Sequence, residues 1–122
     1  MERIEEFKQD GKNFVYIDFS GLKTDVEFRE QIELIKKTVS KYPEQSVYTI
    51  TNLSDIRFDP TIKDAVLDYL RHNKPYIKYA VIFGMDGIKK MMIDSMLKLS
   101  GRNNISCAFT KEKAIELALR QG

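Results

Sequence analysis

The sequence predicts an α/β domain with the element order β-β-α-β-α-β-α-β-α, a mostly parallel five-stranded sheet with an antiparallel strand at its N-terminal edge. Three observations lead there. Short runs of aromatic and β-branched residues alternate with segments of helical periodicity, the pattern of strands joined by crossover helices. The first two runs are separated only by Asp10-Gly11, a hairpin turn signal, whereas a helix separates each later pair. The run from Lys78 to Gly84 is mostly apolar without strict alternation, as expected of an interior strand covered on both faces.

Taken in order, Ile4 to Gln9 forms the first strand and Phe14 to Phe19 the second, closed by Ser20-Gly21. Thr24 and Glu27 have the spacing of a capping box, which starts a helix whose apolar face is Phe28, Ile32, Ile35 and Val39. Tyr42-Pro43 stops it, because proline disfavours helical geometry in the residue before it. Ser46 to Leu53 is the third strand. Asp59-Pro60 supplies an N-cap and a first helical position, and Ile62, Ala65, Val66, Tyr69 and Leu70 repeat at i, i+3, i+4, i+7 and i+8. Asn73 and Pro75 end this second helix. After the Lys78–Gly84 strand and a third helix, Ile105 to Phe109 makes a last short strand, and Thr110 caps a final helix containing Ala114, Ile115, Ala118 and Leu119.

The third helix is unusual. Ile88, Met91, Met92, Met96 and Leu99 follow one buried stripe, yet Ile93 and Leu97 lie well round the cylinder from it. The apolar arc spans about 240°, against about 100° in an ordinary amphipathic helix. Either a neighbouring helix or long lysine stems cover the second face, or Ile93 and Leu97 belong to an exposed, adaptable patch for a partner subunit, an acyl chain or a membrane surface.

Composition excludes several classes of function. With 20 basic and 18 acidic residues in 122, the net charge is +2, which gives no global field for nucleic acid or an anionic membrane. The apolar runs are far shorter than the roughly 20 residues of a spanning helix. The first ten residues, MERIEEFKQD, carry no apolar signal core. One cysteine excludes an internal disulfide and suits a reducing cytoplasm. There is no composition shift to mark a boundary, so residues 1–122 read as a single domain.

Ligands of open parallel sheets bind beyond the carboxyl ends of the strands, which singles out Ser54, Asp55, Asp59 and Asp86, with Ser20, Gly21 and Thr110. Converging carboxylates there would suit Mg²⁺ or acid–base chemistry, although Asp in loops and at N-caps commonly satisfies backbone donors instead. Gly84-Met85-Asp86-Gly87 opens a helix N-terminus where an anion can bind, with Lys89 or Arg102 near, but Asp86 would repel it. The lone His72 and lone Cys107, the latter on a buried-looking strand, make no metal cluster. No Gly-x-Gly-x-x-Gly or Gly-x-Ser-x-Gly motif is present. Metal and cofactor are therefore both expected to be none.

DFSGLKT at 18–24, TNLSDIRFDPTI at 51–62, HNKPYIKYAVIFGMDGIKK at 72–90 and SGRN at 100–103 together resemble the SpoIIAA-like, or STAS/SEC14-like, family of small prokaryotic proteins. The similarity runs from about Asp18 to the final helix. It implies a domain like that of anti-sigma-factor antagonists, with relatives among lipid-carrying domains, and no established enzyme activity. Such antagonists are switched by phosphorylation at the N-terminus of the helix after a central strand. Here only Thr61 offers a hydroxyl in the matching segment, and the usual serine-rich loop is absent.

The leading expectation is a cytoplasmic, non-catalytic interaction module that binds a protein partner or itself through the helix at 88–99. Ile93 and Leu97 would be its anchors and Arg102 would add contacts at the rim. The alternative is a carrier of an apolar small molecule or lipid, with helix movement opening a pocket lined by Met91, Met92, Met96 and Phe83. An enzyme acting at the strand ends is the third reading.

Overall fold

Chain order and sheet order coincide. Strands β1 (Ile4–Gln9), β2 (Lys12–Asp18), β3 (Val47–Asn52), β4 (Ile77–Phe83) and β5 (Ile105–Ala108) lie side by side as 1-2-3-4-5. β1 runs antiparallel to β2, and every later pair is parallel. The computed structural model describes residues 3–57, 60–85 and 87–121, and the side chains of all of these except 60, 88, 89 and 92. Helices α1 (Asp25–Val39), α2 (Lys63–Asn73), α3 (Gly87–Ser100) and α4 (Lys111–Leu119) complete the expected alternation.

Sequential parallel strands joined by right-handed crossovers place every crossover helix on the same face. Accordingly α1, α2 and α3 pack one apolar cluster against Val15, Ile17, Val47, Ala80 and Ile82. The chain after β5 then folds back, and Ala114 and Ala118 of α4 close the other face over Phe14, Tyr48, Ile50 and Val81. Successive strand residues alternate between the two layers. Phe83 thus belongs to the α4 layer, where it stacks with Tyr16 at 6.4 Å between ring centroids. It does not line a pocket with the α3 methionines, because its parity in β4 is opposite to that of Ala80 and Ile82.

Local signals set most boundaries. Thr24 Oγ1 accepts from the Glu27 amide while the Glu27 carboxylate accepts from the Thr24 amide, the reciprocal bonding of a capping box, and Oγ1 also donates to that carboxylate. Thr110 caps α4 by accepting from the Lys113 amide. The Asp59-Pro60 start differs from expectation. Pro60–Ile62 is a 3-10 turn, α2 begins at Lys63, and Ile62 gives it no side-chain cap. Asp59 lies outside the described residues. Between helices, Lys36 pairs with Asp68, and Arg71 donates to the Leu99 carbonyl at 3.4 Å.

The loops at the strand ends are stitched to one another. The Gly21 amide donates to Ser54 O at 3.0 Å, and Leu53 N donates to Phe83 O at 2.9 Å. Asp18 and Asn52 accept from the amides of Ser20 and Ser54 in local turns. Gly84 has φ +86°, and a Cβ there would sit 2.3 Å from Ser54 Oγ and 2.8 Å from Ser54 N. Gly21 also has positive φ but faces open space. Gly84→Ala is therefore expected to destabilise the fold by more than about 2 kcal/mol. Gly21→Ala should cost only about 1–2 kcal/mol. Urea unfolding midpoints measure both.

Candidate functional site

A sheet whose order never reverses has no point where neighbouring crossovers diverge, and so lacks the crevice in which open α/β sheets bind ligands. The strand-end residues show the consequence. Ser54 is half-buried with its amide bonded to Asn52, and Asp55 is exposed at φ +56° in the turn after β3. Asp59 and Asp86 lie outside the described residues. Among the described residues, no group of three or more His, Cys, Asp or Glu side chains is placed to hold a metal ion. Thr61 is exposed in the 3-10 turn, where its carbonyl accepts from Arg29.

The structure also reorients α3. Ile93 is 6% and Met96 4% exposed, Leu97 is half-buried, and Ser100 is buried, whereas Met91 is 72% and Leu99 54% exposed. The inward face is thus the i, i+3, i+4, i+7 set beginning at Ile93, turned about 100° from the Ile88–Leu99 stripe. Ile93 is not an exposed anchor. An arc wide enough to hold two faces leaves their phase to tertiary packing, and α3 settles against α2 with Ile93 pointing inward. Met91 lies on the solvent side, and the side chain of Met92 is not described. Ile93→Lys should then cost more than about 3 kcal/mol by burying an unpaired charge. Met91→Lys should stay within about 0.5 kcal/mol. Thermal and urea unfolding of the two variants test this orientation.

Beneath α2 and α3 lies a cavity of about 60 Å³. Thr49 and Thr51 of β3 and Ala80 and Ile82 of β4 form its floor. Val66 and Tyr69 of α2 and Ile93 and Met96 of α3 form its roof. A void of this size costs roughly 1–2 kcal/mol of unmade packing.

Arg102 lines this cavity and is 8% exposed, so it is no rim residue. Gly101, at φ +74°, ends α3 and turns the chain so that Arg102 passes back under the helices. Its Nε donates to Asn104 Oδ1 at 2.9 Å, and Nη1 donates to Leu70 O at 3.1 Å. The second bond satisfies a carbonyl in the last turn of α2, where positive charge is favoured. Asn104 in turn donates to Ile77 O at 2.9 Å, which fixes the pair to the start of β4. Nη2 is buried and makes no hydrogen bond. Among the described residues no carboxylate stands at ion-pair distance from it.

Two polar groups of α2 lie close by. The Tyr69 hydroxyl is enclosed, and burial pushes its pKa well above the ordinary value, against opposing pulls from Arg102 and Asn73. Burial likewise lowers the Arg102 pKa, with Tyr69 acting in the other direction. Asn73 is buried, and its Oδ1 is 3.0 Å from His72 Nδ1. The sequence carried a signal for this group that the helix-stop reading of Asn73 passed over. Val66, Tyr69, Leu70 and Asn73 stand at i, i+3, i+4 and i+7, so Asn73 extends the apolar stripe of α2 inward.

Cys107 is exposed, because β5 is an edge strand. Its charged neighbours are Lys90 and Asp94, and partial burial of the sulfur raises the thiol pKa, the opposite of an activated nucleophile.

Comparison with family models and with curated proteins returns no match for this chain. Its chemistry is therefore read from the cavity.

Proposed function

We propose that this protein is a non-catalytic binding module that takes an apolar small molecule into the cavity between α2, α3 and the sheet. The observation that carries the reading is an apolar space with a few polar groups, Arg102 and Tyr69 foremost, gathered at one place. Ligand sites have this composition, since apolar walls supply affinity and sparse polar groups set orientation. The proposal keeps the SpoIIAA-like, SEC14-like resemblance and its carrier alternative, with different walls. Of the four residues first assigned to the pocket, Met96 lines it, Met91 and Phe83 do not, and Met92's side chain is not described.

Size restricts the ligand. A benzene-sized cavity measures roughly 150 Å³. The 60 Å³ found here takes a small head group and a carbon or two, and no lipid chain. A longer tail, that of a six-carbon ligand included, requires α3 to lift. That helix packs chiefly on α2, and Met96, unbranched and polarizable, can reshape the roof.

Ala80 is 7% exposed on the cavity floor, so Ala80→Ile fills the space from below. Isothermal titration of 1-hexanol and of hexanoate should show saturable uptake of at least one of them, near one per chain. The Ala80→Ile variant, checked for folding by circular dichroism, should lose it. Non-saturable uptake of both, or uptake unchanged in the folded variant, contradicts the proposal.

The exposure of Met91 and Leu99 favours a second reading, a protein partner or second copy on the outer face of α3. Its anchors would be Met91 and Leu99 in place of Ile93 and Leu97. Sedimentation of the unsubstituted protein and of the Met91→Lys, Leu99→Lys double variant should differ if this face self-associates, and identical monomers exclude the homodimer.

Among the described residues no helix is long and apolar enough to cross a membrane.

A further inference from the structure

We infer that the cavity recognises a carboxylate, with Arg102 Nη2 as its charged donor and the Tyr69 hydroxyl as the second, so that the ligand is a short-chain apolar monocarboxylate. This rests on the cavity reading above and gives its ligand a chemical class.

A buried guanidinium without a counter-charge is destabilising, and an unmade hydrogen bond at its nitrogen adds to that. Two of its three nitrogens are engaged in holding the fold, through Asn104 and Leu70. A group needed only to hold α2 to the loop after α3 would be served by those two bonds. The third nitrogen, Nη2, belongs to a side chain that lines the cavity. An anion placed there supplies the missing acceptor and the missing charge together.

The class of anion follows from the donors. A carboxylate brings one charge and two oxygens, and Nη2 with the Tyr69 hydroxyl offers two donors to match. A phosphate brings more charge and more oxygens. The other polar side chains round the cavity, Thr49, Thr51 and Asn73, are uncharged, so phosphate would be left poorly solvated in a mostly apolar space. The walls at Ile82, Ile93, Met96 and Ile105 suit a hydrocarbon tail. A cavity of about 60 Å³ suits a short one.

The test compares hexanoate with 1-hexanol by isothermal titration on the unsubstituted protein, which needs no variant to fold. Hexanoate should bind about tenfold tighter or more, the usual advantage of a hydrogen bond to a charged group. Arg102→Met should bring hexanoate down to the affinity of the alcohol and leave the alcohol within about threefold. Arg102 also holds Leu70 and Asn104, so Tyr69→Phe, which leaves both of those bonds in place, serves beside it. It should weaken hexanoate about fivefold and leave the alcohol unchanged. Inorganic phosphate should not displace hexanoate, and displacement would overturn the carboxylate assignment. Equal affinities for acid and alcohol, both lost in Ala80→Ile, would overturn the head-group assignment and leave the cavity reading standing. Saturable uptake of neither would overturn both.

Discussion

Crossovers of one hand, repeated three times in a sheet that never reverses its order, are the constraint on which the rest of this structure depends. It sends α1, α2 and α3 to one face and leaves the other to α4 alone. It also removes the divergent crossovers that give many open sheets their binding crevice. What the strand-end loops do instead is bond to one another, down to a glycine that admits no Cβ beside Ser54. Free volume appears elsewhere, between helices and sheet, where α3 leans on α2 and leaves space above Thr49, Ala80 and Ile82.

Into that space the chain directs its one buried arginine among the described residues. The electrostatics are unbalanced in a specific way. The α2 C-terminus and Asn104 compensate the guanidinium in part, through Nη1 and Nε, and Tyr69 stands by with its hydroxyl enclosed. Arginine retains its charge in proteins, so burial does not relieve the imbalance by deprotonation. The fold tolerates both a void and an unsatisfied donor in the same place. One bound anion with an apolar tail would remove both costs, which is why the two observations are read together.

Much of the fold was legible in the sequence because its signals are local. The capping box at Thr24 and Glu27, the cap at Thr110, the Asp10-Gly11 hairpin and the period of α2 each act over a few residues, and each element formed where they pointed. Strand order was not legible, since periodicity reports which face a residue takes and not which strand lies beside it. The phase of α3 was hidden for a related reason. An apolar arc of about 240° contains two plausible inward faces, and contact with α2 selects the one centred on Ile93. Cys107 looked buried because Ile105–Phe109 reads as strand, and only the edge position of β5 exposes it.

The site was least legible of all. Arg102 follows a helix-ending Ser-Gly, a context in which charged residues ordinarily face water. Its inward course depends on Leu70, 32 residues earlier, and on Asn104 reaching back to Ile77. No spacing rule encodes such contacts. Only Asn73, a polar residue on the apolar stripe of α2, marked from sequence that a polar group lay inside.

The central claim, that a small ligand enters under α2 and α3, is tested most directly by methyl resonances. In protein labelled with ¹³C at isoleucine and methionine methyls, hexanoate should shift Ile93 and Met96 and show cross-relaxation to them, while Met91 on the solvent side stays fixed. Shifts at Met91 with Ile93 and Met96 unmoved would place the ligand on the surface and contradict the account.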